Sequence, residues 1–278
     1  MKIAVTGANG FVGRHVLAEL ARREGVSVVA SSRSAECTAA LPAFIRYVPL
    51  DMESLSGNIY DKLGRPDLLM HMAWSGLPNY RSLSHFENEL PRQYHFLRTL
   101  VEEGLPALLV TGTCYEYGLA SGQLSEDQTS APANPYGFAK AALFEQLRFL
   151  QAQRSFSLTW ARLFYMYGED QAPTSLYPLL RAAVMRGDAA FPMSSGEQLR
   201  DYLPVQEVAR LLTELALRCP DAGPVNVCSG TPISVRCLVE QFIVRHNWSI
   251  AFDRGKYAVP DYEPLAFWGS VEKLDRLL

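Results

Sequence analysis

The chain has 278 residues, of which 48% are hydrophobic and 20% charged, a composition that excludes a disordered or low-complexity protein. Its 26 Lys and Arg against 29 Asp and Glu give a net charge of −3, which gives no support for nucleic-acid binding as the main task. No apolar run reaches the roughly 18 residues of a membrane span, and the five cysteines form no CxxC pair, which disfavours a disulfide framework and a metal site. The N-terminus lacks an apolar signal region, so a cytoplasmic protein is expected. From the apolar runs and the cysteine spacing we expect neither a membrane nor a metal as a partner.

Short apolar runs alternate with amphipathic stretches in the first half of the chain. Predicted strands lie at 3–5, 26–30, 44–50, 68–72, 107–111 and 157–164, and predicted helices at 11–23, 84–103 and 135–153. Strands separated by helices of this length indicate βαβ units, whose right-handed crossovers place helices on both faces of a parallel sheet. The predicted fold class is therefore α/β, with a doubly wound parallel sheet.

The second half of the chain is less regular. It contains predicted helices at 176–186, 205–218, 235–246 and 271–278, a strand at 225–228, and loops at 168–178, 188–197 and 253–269. We expect the sheet domain to span residues 1–164, with 200–229 returning to it. Residues 165–199 and 230–278 would then form a small α+β substrate lobe on the C-terminal side.

A glycine-rich turn joins the first strand to the first helix with G-x-x-G-x-x-G spacing. The turn needs a permissive backbone, and a pyrophosphate can approach it closely because no side chain intervenes. The following helix N-terminus offers free N–H groups and a dipole that favour an anion. The pattern predicts a dinucleotide-binding Rossmann domain, whose cofactor contacts would include Gly7, Asn9, Gly10, Phe11, Val12 and Gly13.

The end of the second strand bears on the choice between the two nicotinamide nucleotides. An acid there would accept hydrogen bonds from the adenosine ribose and favour NAD, but this stretch has Ser32 and Arg33 instead. A guanidinium makes charge-assisted bonds to phosphate oxygens, such as those of a ribose 2′-phosphate. We therefore expect NADP(H), with NAD(H) as the alternative, and an adenine contact at Asp51 after the third strand.

Tyr136 and Lys140 open a predicted helix. Positions i and i+4 share one helix face, so the phenol and the ammonium can lie in one site. A nearby Lys favours phenolate and lowers the pKa of the tyrosine toward the range useful for proton transfer. The two residues are therefore the predicted catalytic acid/base and the group that tunes it.

The chain carries five motifs in order: Thr6–Gly13 (TGANGFVG), His71–Trp74 (HMAW), Thr111–Gly118 (TGTCYEYG), Tyr136-x-x-x-Lys140 and Arg200–Tyr202 (RDY). Together they resemble the extended short-chain dehydrogenase/reductase family, which contains nucleotide-sugar epimerases, dehydratases and ketoreductases. The resemblance covers nearly the whole chain. It implies a nicotinamide-dependent enzyme whose substrate is a nucleotide-diphosphate sugar.

This resemblance implies roles for individual residues. Tyr136 matches the family's acid/base, and Lys140 the residue that tunes it and anchors the nicotinamide ribose. Thr113 matches the Ser/Thr that hydrogen-bonds the reacting sugar oxygen, and Arg200 the Arg that pairs with the diphosphate. Further cofactor contacts are implied for Met52, Met72, Ala73, Trp74 and Thr111, and substrate contacts for Cys114, Tyr115 and Tyr165. His71, at the end of a strand, and Asn88, on a helix, are expected to have structural roles. Asn88 is expected to hydrogen-bond the backbone.

Several positions depart from the family's patterns. In sugar dehydratases an Asp-Glu pair follows the Thr, whereas this chain has Cys114 and Tyr115, so dehydration is not expected. Glu116 stands one position further along and, in an extended stretch, points to the opposite face. Tyr165 replaces an Asn that often touches substrate, and Pro204 stands where many relatives have His.

These features favour an NADP(H)-dependent reductase of a nucleotide-diphosphate 4-keto-6-deoxy sugar. Hydride would pass to C4 while Tyr136 donates the proton and Thr113 polarises the carbonyl. Two alternatives stay open, an NAD-dependent nucleotide-sugar 4-epimerase and a non-catalytic NADP sensor on the same fold. The helices at 84–103 and 135–153 resemble those of a homodimer interface in relatives, so a homodimer is expected, although their apolar faces also suit packing on the sheet.

Overall fold

The computed structural model describes residues 1–38, 42–258 and 261–278. Its strands, in chain order, are β1 (Lys2–Thr6), β2 (Ser27–Ser32), β3 (Arg46–Pro49), β4 (Leu68–His71), β5 (Ala107–Thr113), β6 (Gly122–Leu124), β7 (Ser157–Leu163), β8 (Tyr165–Tyr167), β9 (Ala190–Pro192), β10 (Leu199–Pro204), β11 (Gly223–Val227), β12 (Pro232–Ser234), β13 (Ala251–Asp253) and β14 (Phe267–Gly269). Seven of them form one sheet in the order β11-β7-β5-β4-β1-β2-β3, and every neighbouring pair in it is parallel.

Helices cover both faces of this sheet. They are α1 (Phe11–Leu20), α2 (Ile59–Lys62), α3 (Leu90–Glu102), α4 (Pro135–Gln151), α5 (Leu176–Arg186), α6 (Val205–Arg218), α7 (Val235–His246) and α8 (Glu272–Leu277). Alternate residues of β1 serve the two layers, because successive side chains of a strand point to opposite faces. Ile3 and Val5 pack in the core that contains α1 and α6, and Ala4 packs in the core that contains α3 and α4. The predicted α/β class with a doubly wound parallel sheet is confirmed.

The predicted helix at 84–103 is two elements rather than one. A π-helical turn spans His85–Glu89 and α3 follows it. Pro91 has no N–H, so it cannot bond the carbonyl of Glu87 and the ladder of the α-helix is interrupted there. As a result the π turn carries Glu89 into a buried position at the edge of the site.

Short strands lie in stretches that the sequence assigns to loops. Phe191 of β9 pairs with Phe252 of β13 in a parallel ladder, and Phe267 of β14 pairs with Gly122 of β6. Each of these strands has three residues and a partner far along the chain, so local periodicity cannot reveal it. Residues 259 and 260 of the predicted loop 253–269 lie outside the described residues.

The second half of the chain contributes to more than one sheet. β11 joins the central sheet beside β7, whereas β10 lies between β12 and β8 in a separate three-stranded sheet. The boundaries of the two predicted domains stay a prediction. Within the described ranges, no helix has the length and apolarity needed to cross a bilayer.

Candidate active site

The glycine turn after β1 has the backbone shape of an anion site. Gly7 has φ of +74°, and a Cβ atom there would lie 2.8 Å from the backbone of Ala73 and of Met72. A Cβ atom at Gly13 would lie 2.1 Å from the carbonyl oxygen of Gly7, so α1 can pack on the turn only without a side chain here. Gly10, the N-cap of α1, supplies no side-chain cap. The first N–H groups of the helix are therefore free for a ligand, and the turn fits a pyrophosphate.

A cavity of about 230 Å³ extends from this turn toward the ends of β2 and β3. Its lining includes ten of the predicted cofactor residues: Gly7, Asn9, Gly10, Ser32, Arg33, Asp51, Met52, Met72, Ala73 and Trp74. Sequence reasoning missed Glu89, Arg92 and Gln93, which line it as well. No motif marks these three residues; the π turn and the first turn of α3 bring them to the cavity.

The end of β2 has fewer free hydrogen-bond donors for a ribose 2′-phosphate than the sequence suggests. The Ser32 hydroxyl accepts a hydrogen bond from Nδ2 of Asn9 at 2.9 Å and lies 2.7 Å from the hydroxyl of Tyr47. Because the Tyr47 hydroxyl donates to the carbonyl oxygen of Ser34 at 2.7 Å, Ser32 is the donor to Tyr47. The Ser32 proton is therefore used in a hydrogen bond within the protein. Of the two residues predicted to bind the 2′-phosphate, this leaves Arg33, which is exposed and lines the cavity.

A second cavity of about 490 Å³ adjoins the first, and both are lined by Gly7, Gly10, Met72 and Trp74. The second cavity contains the other predicted site residues: Phe11, Val12, Gly13, Thr111, Thr113, Cys114, Tyr115, Tyr136, Lys140 and Tyr165. The structure thus brings the catalytic candidates beside the glycine turn. Arg200 is the exception, since it is absent from the lining of both cavities in the described part of the chain.

The first turn of α4 positions the tyrosine and the lysine. Asn134 caps the helix by accepting a hydrogen bond from the Gly137 amide at 2.8 Å, which fixes the turn that carries Tyr136. Lys140, one turn later, donates from Nζ to the carbonyl oxygen of Thr111 at 2.8 Å. Its Nζ lies 4.0 Å from the ring centroid of Trp74 and 5.9 Å from that of Tyr136. The phenol and the amine therefore share one wall of the cavity.

Burial dominates the ionisation of both groups. It lowers the pKa of Lys140 to about 7, against the charges of Glu116 and Glu89, which raise it. It also raises the pKa of Tyr136 well above the usual range, with a smaller opposite effect from the Thr113 side chain. The expected lowering of the Tyr136 pKa by Lys140 is wrong for the protein alone, because removal of the phenol from water outweighs other effects. At neutral pH the phenol keeps its proton.

Thr113 ends β5 and caps the 3₁₀ turn Cys114–Tyr117. Its Oγ1 accepts a hydrogen bond from the Tyr115 amide at 3.3 Å, and its own amide donates to Oε1 of Glu116 at 2.8 Å. Glu116 therefore points away from the cavity, but the reason differs from the one the sequence suggested, because residues 114–117 form a 3₁₀ turn and not an extended stretch. Cys114 is buried, and burial raises the pKa of its thiol, so it stays a neutral thiol.

Arg200 lies behind the second cavity in a cluster of charged and phenolic groups. Its Nη2 donates to Oε2 of Glu263 at 2.8 Å, and the Tyr115 hydroxyl donates to Oε1 of Glu263 at 2.6 Å. The hydroxyls of Tyr115 and Tyr165 are 3.1 Å apart. Sequence reasoning missed Glu263, which stands 63 residues from Arg200 in a stretch with no motif. Arg200, which was predicted to bind the diphosphate, is therefore already paired with the Glu263 carboxylate in this structure.

His71 and Asn88 differ in how well they match expectation. His71 is fully buried, with Nδ1 2.8 Å from the Thr6 hydroxyl and Nε2 2.7 Å from Oε1 of Gln93. Burial lowers the pKa of His71 to about 3, so it is a neutral link between β1, β4 and α3. Asn88 was expected to bond backbone but is exposed and donates instead to the side chain of Ser84 at 3.2 Å.

Comparison with known proteins connects this geometry to a family. The model of the NAD dependent epimerase/dehydratase family matches residues 3–228. The chain belongs to this family. The resemblance to extended short-chain dehydrogenase/reductases is therefore confirmed, and so is the prediction of an NAD(P)-dependent enzyme of the nucleotide-sugar epimerase/dehydratase type. The family is one of enzymes, which disfavours the alternative of a non-catalytic NADP sensor.

Individual proteins of known name resemble the chain over most of its length. A dTDP-6-deoxy-L-talose 4-dehydrogenase (NAD(+)) of Aggregatibacter actinomycetemcomitans is 31% identical over 97% of this chain and 100% of its own. A UDP-glucose 4-epimerase of Azospirillum brasilense is 28% identical over 86% of this chain and 75% of its own. The solved structure of MoeE5 with UDP-glucuronic acid and NAD is 28% identical, with a TM-score of 0.82 over 100% of this chain and 92% of its own. The NAD in that structure argues against the predicted preference for NADP.

Proposed function

We propose that this protein oxidises and reduces C4 of a nucleotide-diphosphate 6-deoxyhexose with NAD(H). The observation that carries the proposal is the grouping of Thr113, Tyr136 and Lys140 around one cavity beside the glycine turn. The name of the 4-dehydrogenase that matches 97% of this chain supports C4 as the reacting carbon and NAD as the cofactor. An NADP(H)-dependent reductase is correspondingly less well supported.

The roles of the three residues follow from their protonation and placement. A bound nicotinamide nucleotide would supply the hydride or accept it. Tyr136, a neutral phenol in the protein alone, is a proton donor for the alkoxide formed when a C4 ketone is reduced. Thr113 offers a hydroxyl to the same oxygen, and Lys140, with its pKa lowered to about 7, is an amine that can take up or return a proton beside the phenol.

The placement of the residues predicted at the cofactor supports the binding of NAD(H). The glycine turn would receive the pyrophosphate. Gly7 and Gly13 have no room for a side chain, and Gly10 leaves the first N–H groups of α1 without a side-chain cap. Lys140 uses one N–H group on the Thr111 carbonyl, which leaves N–H groups for ribose hydroxyls. Asp51 would contact the adenine end of the same cavity.

The lining of the second cavity supports a 6-deoxy sugar. Leu77, Pro78 and Tyr80 face the cavity together with Tyr115 and Tyr165. The aliphatic side chains and aromatic faces of such a wall suit a sugar methyl group and the apolar face of a pyranose ring. Arg200 would bind the diphosphate after releasing Glu263, because bidentate guanidinium pairing suits phosphate oxygens.

A nucleotide-sugar 4-epimerase is the second candidate. Four of the curated relatives carry the name UDP-glucose 4-epimerase, and NAD-dependent epimerisation begins with the same C4 oxidation. These comparisons support the epimerase better than they support the NADP(H)-dependent reductase. The two NAD-dependent reactions differ in whether the reduced cofactor leaves the protein.

The deciding experiment measures the cofactor and the product together. The protein, purified without added nucleotide and then denatured, is analysed for released NAD and NADP. Separately, dTDP-6-deoxyhexoses and UDP-hexoses are incubated with the native protein, with and without NAD, while NADH absorbance and C4 configuration are followed. NADH formation with a dTDP-6-deoxyhexose supports the dehydrogenase, and retained NAD with C4 inversion and no free NADH supports the epimerase. A preference for NADP, or the absence of C4 chemistry on either substrate class, would overturn the proposal.

We also propose a homodimer formed through α3 and α4, which pack against each other. Phe138 is 51% exposed and Phe149 72% exposed, and the ring of Phe138 lies 5.8 Å from that of Phe86. Apolar side chains of this size on one surface are typical of a covered interface. Light scattering of the wild type against Phe138→Asp/Phe149→Asp tests this, since a monomeric wild type would exclude the dimer.

A further inference from the structure

A carboxylate lies buried directly behind the predicted catalytic residues. Glu116 has no exposed surface, and three donor groups reach its two oxygens, with the Trp160 N–H shared between them. Its Oε1 accepts from the Thr113 amide at 2.8 Å and from Nε1 of Trp160 at 2.9 Å. Its Oε2 accepts from Nε of Arg162 at 2.8 Å and from Nε1 of Trp160 at 3.1 Å. The cost of burying the charge is thus offset by an ion pair and by dipoles that point at it.

The neighbouring sequence makes room for this carboxylate. A Cβ atom on Gly112 would lie 2.5 Å from Oε1 of Glu116 and 2.2 Å from Nε1 of Trp160. Both distances are too short for a real contact, so the glycine is needed for the approach of the two side chains and not for a special backbone angle. The carboxylate, the indole and the missing side chain therefore form one packing unit between β5 and β7.

The partner of Glu116 is itself fixed on its far side. Nη1 of Arg162 donates to the Tyr117 hydroxyl at 3.0 Å, and that hydroxyl donates to Oδ1 of Asn226 at 2.7 Å. Asn226 lies on β11, and its Nδ2 donates to the carbonyl oxygen of Leu124 at 2.9 Å. The chain of bonds ties the turn after β5 to three strands, so Glu116 has little freedom to move.

This network ends on the residue predicted to touch the substrate. Thr113 is bound on both sides: its amide donates to Glu116, and its Oγ1 accepts from the Tyr115 amide. The capping box so formed sets the backbone from which the Thr113 hydroxyl projects into the cavity. Glu116 is also one of the two charges that raise the pKa of Lys140 against burial.

We propose that Glu116 is a positioning residue, which holds Thr113 through the backbone so that the Thr113 hydroxyl meets the reacting oxygen beside Tyr136. The inference rests on the proposed function, because Thr113 acts on substrate only if C4 chemistry takes place here. It assigns a role to a carboxylate that never faces the cavity. A loss of the acceptor at position 116 would therefore lower turnover without weakening the binding of either substrate.

The test compares two double variants, of which one keeps an acceptor oxygen at position 116 and the other does not. Glu116→Gln alone would leave Arg162 charged and unpaired in the interior, which endangers folding. Glu116→Gln/Arg162→Met removes both charges and keeps an oxygen for the Thr113 amide. Glu116→Leu/Arg162→Met removes both charges and the oxygen. Glu207→Gln/Arg210→Gln, an exposed pair on α6, controls for the loss of an ion pair elsewhere.

We expect the Leu/Met variant to have a kcat about 10-fold or more below that of the Gln/Met variant, as for other losses of transition-state alignment. KM for the nucleotide sugar and Kd for NAD should change less than about threefold, which is the pattern of an interaction made in the transition state. In a Thr113→Ala background the difference between the two variants should disappear. Equal kcat values, or a difference that persists without the Thr113 hydroxyl, would overturn the inference.

Amide hydrogen exchange gives a readout that needs no turnover. Peptides that cover residues 107–118 should exchange faster in the Leu/Met variant than in the Gln/Met variant, because only the former loses the acceptor of the Thr113 amide. Equal protection would overturn the positioning role. If the wild type has no C4 activity on any nucleotide sugar, the proposed function fails and the catalytic role of Glu116 fails with it, whatever the exchange data show.

Discussion

Lys140 makes the stability of the cofactor-free protein depend on pH between its folded and unfolded pKa values. Its pKa falls from 10.5 to about 7 on folding, which corresponds to about 5 kcal/mol of preference for the neutral amine. Between these two values the unfolded chain binds one proton more than the folded protein, so stability rises with pH, by up to about 1.4 kcal/mol per pH unit. Below pH 7 both states are protonated and the full cost of the buried charge is present.

Lys140→Met isolates this contribution. The variant keeps a side chain of similar length and loses the bond to the Thr111 carbonyl, a loss that does not vary with pH. The difference between wild type and variant in the free energy of unfolding should therefore change by about 2 kcal/mol between pH 7 and pH 9 in favour of the wild type. Groups that titrate elsewhere act on both proteins and cancel.

The assay is denaturant unfolding followed by tryptophan fluorescence, at fixed ionic strength, with bound nucleotide removed beforehand. Wild type and variant are measured at half-unit steps from pH 6 to pH 9.5. A difference that stays constant over this range would show that Lys140 keeps an ordinary pKa in the folded protein. The account of the site, in which Lys140 loses its proton near pH 7 beside a neutral phenol, would then be wrong.

Three further predictions concern the site itself. Tyr136→Phe should lower kcat by about 10²–10⁴-fold in a steady-state assay with the cofactor affinity unchanged; full activity would remove the tyrosine from the mechanism. Gly13→Ala should abolish NAD binding in calorimetry, because the new methyl group meets the Gly7 carbonyl oxygen at 2.1 Å; normal binding would contradict the packing of α1. Glu263→Gln should tighten the binding of dTDP or UDP about fivefold, since it frees Arg200 from a carboxylate at 2.8 Å; a weaker affinity would mean that Glu263 binds the ligand rather than competing with it.

Sequence reasoning performed best where a pattern has one physical cause. Continuous apolar strands separated by amphipathic helices predict a doubly wound parallel sheet, because such strands are buried on both faces. The glycine turn and the i, i+4 pair Tyr136 and Lys140 are local, so their geometry is set within a few residues. The structure brings both features to the same cavity.

Reasoning from the sequence failed where the partner of a residue lies far along the chain or a local rule is broken. Glu263 reaches Arg200 across 63 residues and has no motif around it. Pro91 converts the start of one predicted helix into a π turn, which brings Glu89 to the cofactor cavity. Burial reversed the expected direction of the Tyr136 pKa, because spacing predicts proximity to a lysine and carries no information about solvent.

The position of β11 has a consequence for the newly made chain. β11 forms an edge of the central sheet against β7, yet the whole segment from β8 to α6 is synthesised between these two strands. Until Val227 has been made, the outer edge of β7 carries unpaired N–H and C=O groups that another chain could bind. Domains generally fold from the N-terminus during synthesis, so a ribosome-bound intermediate that has already formed the sheet up to β7 would expose this edge to pairing with other chains.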